Sequence, residues 1–236
     1  MFIKNRSGIH LRFIKVFDLI AQISKKDRIV ETMKKALLVG KLSPGEQIVE
    51  NKVARQLGVG TPLVREALIE LEHQGFVQKF PYKGTYVTKL SREDIEQIYN
   101  LRIELEPPAV EWAKAKALPA DIEALLDMVA HMERGAYEMN FDLFYEYDLA
   151  LHRKIWELSG NRYLFEVLER LVVPLFAFFV MRTPRVRETY IESASTHKNI
   201  LNAMLTKDGP ELRQFTREAM VGFKDDWLTT FGSELE

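Results

Sequence analysis

The chain has 236 residues, 47% of them hydrophobic, with 33 Lys and Arg against 34 Asp and Glu and no cysteine. This apolar fraction excludes a wholly disordered chain, and the lack of cysteine excludes a disulfide scaffold, thiolate zinc sites and cysteine catalysis. The net charge of −1 hides an asymmetry: residues 1–90 carry 16 basic and 8 acidic side chains, residues 91–236 carry 17 and 26, the pattern of a polyanion-binding part followed by an acidic one.

Length suggests one or two domains. Along the first 24 residues, Phe13, Val16, Phe17, Ile20 and Ile23 recur at helical spacing, and this stretch reads as an extension of unknown role. Lys4, Arg6, Arg12 and Lys15 interrupt any signal-like apolar core there. The run Leu171–Met181 is short of the ~20 residues a membrane span needs and reads as a buried helix. The chain is therefore read as cytoplasmic, with no membrane partner.

Residues 25–90 read as one unit. Ile29, Val30, Met33 and Leu37 mark a helix that Gly40 and Leu42-Ser43-Pro44-Gly45 stop. A short helix over Glu50–Leu57 ends at Gly58. A third helix begins at Thr61 or Pro62, where proline is favoured, buries Leu63, Val64, Ala67, Leu68 and Leu71, and ends by Gly75. Residues 76–80 and 85–88 alternate as strands around Pro81-Tyr82-Lys83-Gly84. This order is a helix-turn-helix with a wing, and the third helix presents Thr61, Pro62, Arg65 and Glu66 outward. Thr61 and Arg65 share a face and suit phosphate and guanine contacts; Lys83-Gly84 at the hairpin tip suits a phosphate. On spacing alone Arg65 reads equally well as a solvated surface arginine.

Residues 91–236 read as an all-helical antiparallel bundle. Ser91 and Asp94 form a cap, and the helix they start is expected to bend or end near Pro107-Pro108. Further helices are expected over 119–134, 141–159, 162–181, 185–206 and 209–231, with Pro174 as a kink. Three inward faces each carry polar groups: Arg102 among Ile95, Ile98, Leu105 and Ala109; Asp148 and His152 among Phe141, Phe144, Tyr145, Leu151 and Ile155; His197 among Tyr190, Ala194, Leu201 and Met204. Buried polar groups pair, bind a metal or line a wet cavity. Each also has a plain structural reading: Arg102 neutralising Glu106 or Asp148, Asp148 and His152 as a helix-surface pair, His197 as a satisfied core histidine.

The motifs Leu42-Ser43-Pro44-Gly45-Glu46, Gln56-Leu57-Gly58-Val59, Val64-Arg65-Glu66-Ala67-Leu68, Gly75-Phe76-Val77 and Lys83-Gly84-Thr85-Tyr86-Val87 resemble the DNA-binding domain of GntR-family bacterial transcription regulators. Leu101-Arg102-Ile103-Glu104-Leu105-Glu106, Asp148 with His152, Ser159-Gly160-Asn161 and His197 resemble the helical FCD-type effector domain of the FadR subfamily. The resemblance implies Arg65 as the main recognition-helix contact and Lys83 and Gly84 in a groove-approaching wing. Two positions depart from it: Thr61 stands where relatives often carry an arginine, and Asn51 where some do. The resemblance also implies a divalent metal (Zn, Ni or Mn) on Asp148, His152, His197 and a third histidine. That histidine is expected among Val221, Gly222 and Phe223, and Phe223 cannot coordinate.

The favoured reading is a non-enzymatic regulator, a homodimer on a palindromic double-stranded DNA operator. It responds to a small-molecule effector, an organic acid held by Arg102 as a carboxylate fork, with Asp148, His152, His197, Asn161 and Phe223 around it. The alternatives are a metal-dependent enzyme at Asp148, His152 and His197, and a DNA-binding scaffold with a ligand-free bundle.

Overall fold

The computed structural model describes residues 24–182 and 186–231. The amphipathic pattern read in the first 24 residues lies, Ser24 apart, outside the described residues.

The amino-terminal unit begins with α1 (Lys25–Leu38), capped by Ser24, whose side chain accepts from the Asp27 amide. Then come β1 (Gln47–Ile48), α2 (Glu50–Leu57), α3 (Thr61–His73), β2 (Val77–Phe80) and β3 (Gly84–Val87). The strands form an antiparallel sheet of order β1-β3-β2. Gly58 closes α2 at φ +64, a left-handed cap without a Cβ penalty. Ile29, Val30, Met33 and Leu37 of α1 pack on Val64, Ala67, Leu68 and Leu71 of α3 and on Val77 and Val87 of the sheet.

The bundle comprises α4 (Arg92–Lys116), α5 (Pro119–Tyr137), α6 (Phe141–Leu158), α7 (Arg162–Arg182), α8 (Arg187–Thr206) and α9 (Gly209–Phe231). Ser91 and Asp94 form a reciprocal capping box at the start of α4. The expected break at Pro107-Pro108 does not occur: α4 runs unbroken through both prolines. Pro107 has no amide to give the Ile103 carbonyl, and Arg217 of α9 donates to that carbonyl instead, at 3.4 Å, while also pairing with Glu104. A neighbouring helix thus supplies the missing donor. The apolar run of α7 is buried, and among the described residues no helix is long and apolar enough to cross a membrane.

The two units share α7. Ala177 belongs to the amino-terminal core, with Val180 and Met181 packed against it. Gly75, at φ +76 in the turn after α3, meets the α7 backbone so closely that a Cβ there would lie 2.6 Å from the Val173 oxygen. Gly75→Ala is expected to destabilise the protein by about 2 kcal/mol or more, since left-handed strain alone costs roughly 1–2 kcal/mol and the backbone overlap adds to it. Urea denaturation checks this; an unchanged midpoint would mean the contact yields freely.

Candidate functional site

The helix-turn-helix order puts α3 on the surface. Val64, Ala67, Leu68 and Leu71 are buried, whereas Pro62, Arg65 and Glu66 are exposed and Thr61 is half-buried. Arg65 is open to solvent, and its Nε donates to Oε2 of Glu50, the first residue of α2, at 2.6 Å. An ion pair this exposed holds its partners weakly, so the guanidinium is available to an outside anion. Asn51, Lys52 and Arg55 are exposed on α2. At the hairpin tip Lys83 and Gly84 are exposed, with Gly84 at φ +105. The Lys83 carbonyl accepts from Gln47 Nε2 at 2.9 Å and from the Tyr86 hydroxyl at 3.2 Å, which fixes the wing. Sequence reasoning missed Gln47 and Glu50; a two-residue strand offers no alternation to read.

In the bundle, the three polar faces converge on a cavity of about 100 Å³ walled by α4, α6, α7, α8 and α9. Its lining includes the aromatic rings of Tyr99, Phe144, Phe176, Phe179, Phe223 and Trp227. Asp148, His152 and His197 each offer one ligand atom, and these atoms lie within 4.8 Å of one another.

Hydrogen bonds fix the chemistry of that cluster. His152 Nδ1 lies 2.8 Å from Glu106 Oε2. Burial pushes the Glu106 carboxyl up, but Arg102 and His152 outweigh it and hold the group well below the usual carboxylate range. Ionised, Glu106 only accepts, so His152 carries its proton on Nδ1. His197 Nδ1 lies 2.8 Å from the Ser193 carbonyl, which also only accepts. Burial lowers the His197 pKa, keeping that ring neutral. The two Nε2 atoms face each other at 3.1 Å, with Asp148 Oδ1 at 3.6 and 3.3 Å from them. Asp148 Oδ1 is buried and accepts no hydrogen bond. Two imidazole nitrogens and a carboxylate oxygen brought this close are a donor set that suits a divalent transition metal. Glu106 stands behind His152 as a carboxylate stands behind a metal-ligating histidine, an arrangement that fixes tautomer and ring orientation.

Arg102 lines the cavity, but its Nε donates to Glu106 Oε1 at 2.5 Å and its guanidinium lies over the Tyr99 and Phe176 rings. Glu106 thus holds the guanidinium through its Nε, beside the cavity that Arg102 lines. The Arg102–Glu106 pair was legible from its four-residue spacing; the link from Glu106 to His152 was not. Asn161 does not line the cavity: its side chain accepts from the Leu164 amide and caps α7. Phe223 does line it, as do Thr216, Ala219 and Met220 of α9, and none of these four brings a nitrogen ligand.

Fold and site define a two-part chain: a winged helix-turn-helix joined to a helical bundle that encloses a ligand-type cluster. The gntR family of bacterial regulatory proteins matches residues 25–87 and the FCD domain matches residues 97–221. The chain belongs to this family, in the branch that carries an FCD domain. It is 29% identical over 140 residues to the HTH-type transcriptional regulator YdhC of Bacillus subtilis, covering 59% of this chain and 62% of that protein. It is 30% identical over 129 residues to an HTH-type regulator of Streptomyces ambofaciens, covering 55% and 54%. The match thus spans less than two thirds of either relative. McbR of Escherichia coli is 24% identical over 193 residues, covering 80% of this chain and 86% of McbR. The same fold occurs in the solved structures of Escherichia coli McbR/YncC (TM-score 0.65, 20% identity, 91% of this chain and all of that one) and of a GntR regulator from Rhodococcus sp. RHA1 (0.66, 17%, 88% and 99%).

Proposed function

We propose that the protein is a DNA-binding transcription regulator, a homodimer on a palindromic operator, whose helical domain senses an organic acid through a divalent metal ion. The observation that carries this reading is the shared helix α7. One side of it, Phe176 and Phe179, walls the cavity, and Ala177 sits in the winged-helix core. Whatever fills the cavity presses on a helix that the DNA-binding unit rests against, and a ligand preferring one arrangement shifts operator affinity.

On the DNA side, Arg65 reads a base edge in the major groove. Thr61, Pro62 and Asn51 flank it, and Lys83 and Gly84 approach the backbone. Asn51 and Thr61 bring no charge, so phosphate contact falls more heavily on Arg65 and the wing. A second copy docks on the apolar row Leu101, Leu105, Pro108 and Trp112 of α4, in which Leu101 is 49% and Trp112 36% exposed. Two-fold symmetry then presents two recognition helices to successive major grooves.

On the effector side, Asp148, His152 and His197 would hold the metal, which would supply a Lewis-acid centre for a carboxylate. Arg102, held through its Nε by Glu106, lines the same cavity, and Tyr99, Phe176 and Phe223 pack the effector's apolar part. The small cavity favours a compact acid.

Glu106→Gln removes the anionic partner of His152 and is expected to weaken Zn²⁺ binding by roughly 10–100-fold, read by isothermal titration; unchanged affinity would remove Glu106 from the metal's support. The reading as a whole is tested with a duplex selected by the full chain from a randomised library. At least one small mono- or dicarboxylate should change duplex affinity in the metal-loaded protein and not after chelation. An acid effect that survives chelation would contradict the metal's role, and no selected duplex at all would contradict the regulator.

A further inference from the structure

The wing carries a side chain that its own turn disfavours. Phe80-Pro81-Tyr82-Lys83 is a tight turn closed by the Lys83 amide on the Phe80 carbonyl at 3.1 Å. Proline holds the second position and Tyr82 the third, at φ +62. A turn with positive φ at its third position calls for glycine or asparagine there, because a Cβ is crowded in the left-handed region. Of the two non-glycine residues at positive φ among the described residues, Tyr82 is fully exposed, at 110% of its reference surface. Its ring is in no aromatic pair among the described residues, unlike those of Phe80 and Tyr86, which meet edge to face at 5.7 Å. Local folding therefore gains nothing from a tyrosine here.

The tip is also held rigidly. Gln47 and Tyr86 both bind the Lys83 carbonyl, and the Gln47 amide sits where a Cβ on Gly84 would meet it at 3.1 Å. From Val77 to Lys89 the hairpin carries Lys79, Lys83 and Lys89 and no acidic residue. All three lysines are exposed. An exposed aromatic ring on a fixed turn, on a hairpin with three exposed lysines, fits a polyanion that has an apolar surface between its charges.

We propose that Tyr82 is a DNA-contacting residue, its ring packing on the deoxyribose edge of the duplex and its hydroxyl donating to a phosphate, beside the groove that α3 occupies. This rests on the proposed DNA-binding reading and adds to it a contact made by shape and apolar surface rather than by charge.

The test uses the full chain and the duplex it selects from a randomised library, followed by fluorescence anisotropy across salt concentrations and by urea denaturation. Asparagine tolerates the left-handed region, so Tyr82→Asn should keep or raise the denaturation midpoint. It should nonetheless lower duplex affinity about 5-fold or more, with the salt dependence unchanged because no charge is lost. Lys83→Ala should reduce the salt slope by about one. Tyr82→Phe should keep most of the affinity. Wild-type affinity in Tyr82→Asn, with Arg65→Ala impaired, would overturn the role of Tyr82 and leave the DNA-binding reading standing. A parallel fall in stability and affinity would make Tyr82 structural and overturn the proposal too. Failure of the wild-type chain to bind any duplex would overturn both.

Discussion

Replacing Asp148 by Asn is expected to abolish the thermal stabilisation that Zn²⁺, Ni²⁺ or Mn²⁺ gives the protein, while leaving the metal-free chain as stable as before or more so. The two effects have one cause. Asp148 Oδ1 is buried, accepts no hydrogen bond and faces two imidazole nitrogens at 3.6 and 3.3 Å. A buried carboxylate oxygen without a hydrogen-bond donor is costly, and a neutral amide in its place relieves that cost. The metal removes the same cost by lying between the three atoms. For the native chain, metal at 100 times its dissociation constant should add ~2.7 kcal/mol of stability. Asp148→Asn and His152→Ala should each lose metal affinity by roughly 100-fold or more, beyond the range for a supporting residue such as Glu106. A chain whose melting temperature ignores all three metals, or an Asp148→Asn variant that still responds, would contradict the assignment.

Arg65→Ala is expected to be the most damaging single change to DNA binding. An arginine that reads a base edge contributes about 1–3 kcal/mol of discrimination, so affinity for the selected duplex should fall roughly 10–100-fold. Affinity for unrelated duplex, which depends on phosphate contacts, should fall less. The fold should survive, because the Arg65 side chain is 66% exposed and its pair with Glu50 is at the surface. Arg65→Lys should keep part of the non-specific affinity and lose the discrimination, since an ammonium cannot make the paired contact of a guanidinium. Equal losses on selected and unrelated duplex would show that Arg65 meets phosphate only.

Much of this architecture is legible in the sequence because it is local. The apolar spacing of α1, the glycine cap of α2, the proline at the start of α3 and the Ser91–Asp94 cap each depend on residues within a turn of one another. Asp148 and His152 were recognisable together for the same reason. What escaped the sequence depends on distant partners. The continuation of α4 through Pro107 and Pro108 relies on Arg217, more than a hundred residues away, to satisfy the Ile103 carbonyl. The tautomers of His152 and His197 depend on Glu106 and on a backbone carbonyl, and no spacing rule links His152 to a carboxylate on another helix. The pairing of Arg102 with Glu106 was one of the readings its spacing allowed, whereas the Tyr99 and Phe176 rings beneath its guanidinium required the packing of α4 and α7 to be seen. Asn161 belongs to a motif of the resemblance, but its side-chain oxygen caps the helix that follows it. Phe223 was expected beside the effector, and it lines the cavity from α9.

The most direct test of coupling between cavity and winged helix is reciprocity. The affinity of the metal-loaded chain for the acid that shifts its duplex binding should be measured with and without saturating selected duplex. The account requires the two values to differ by the same factor by which that acid changes duplex affinity. Identical values would contradict it, for they would mean that the bundle and the winged helix bind their ligands independently.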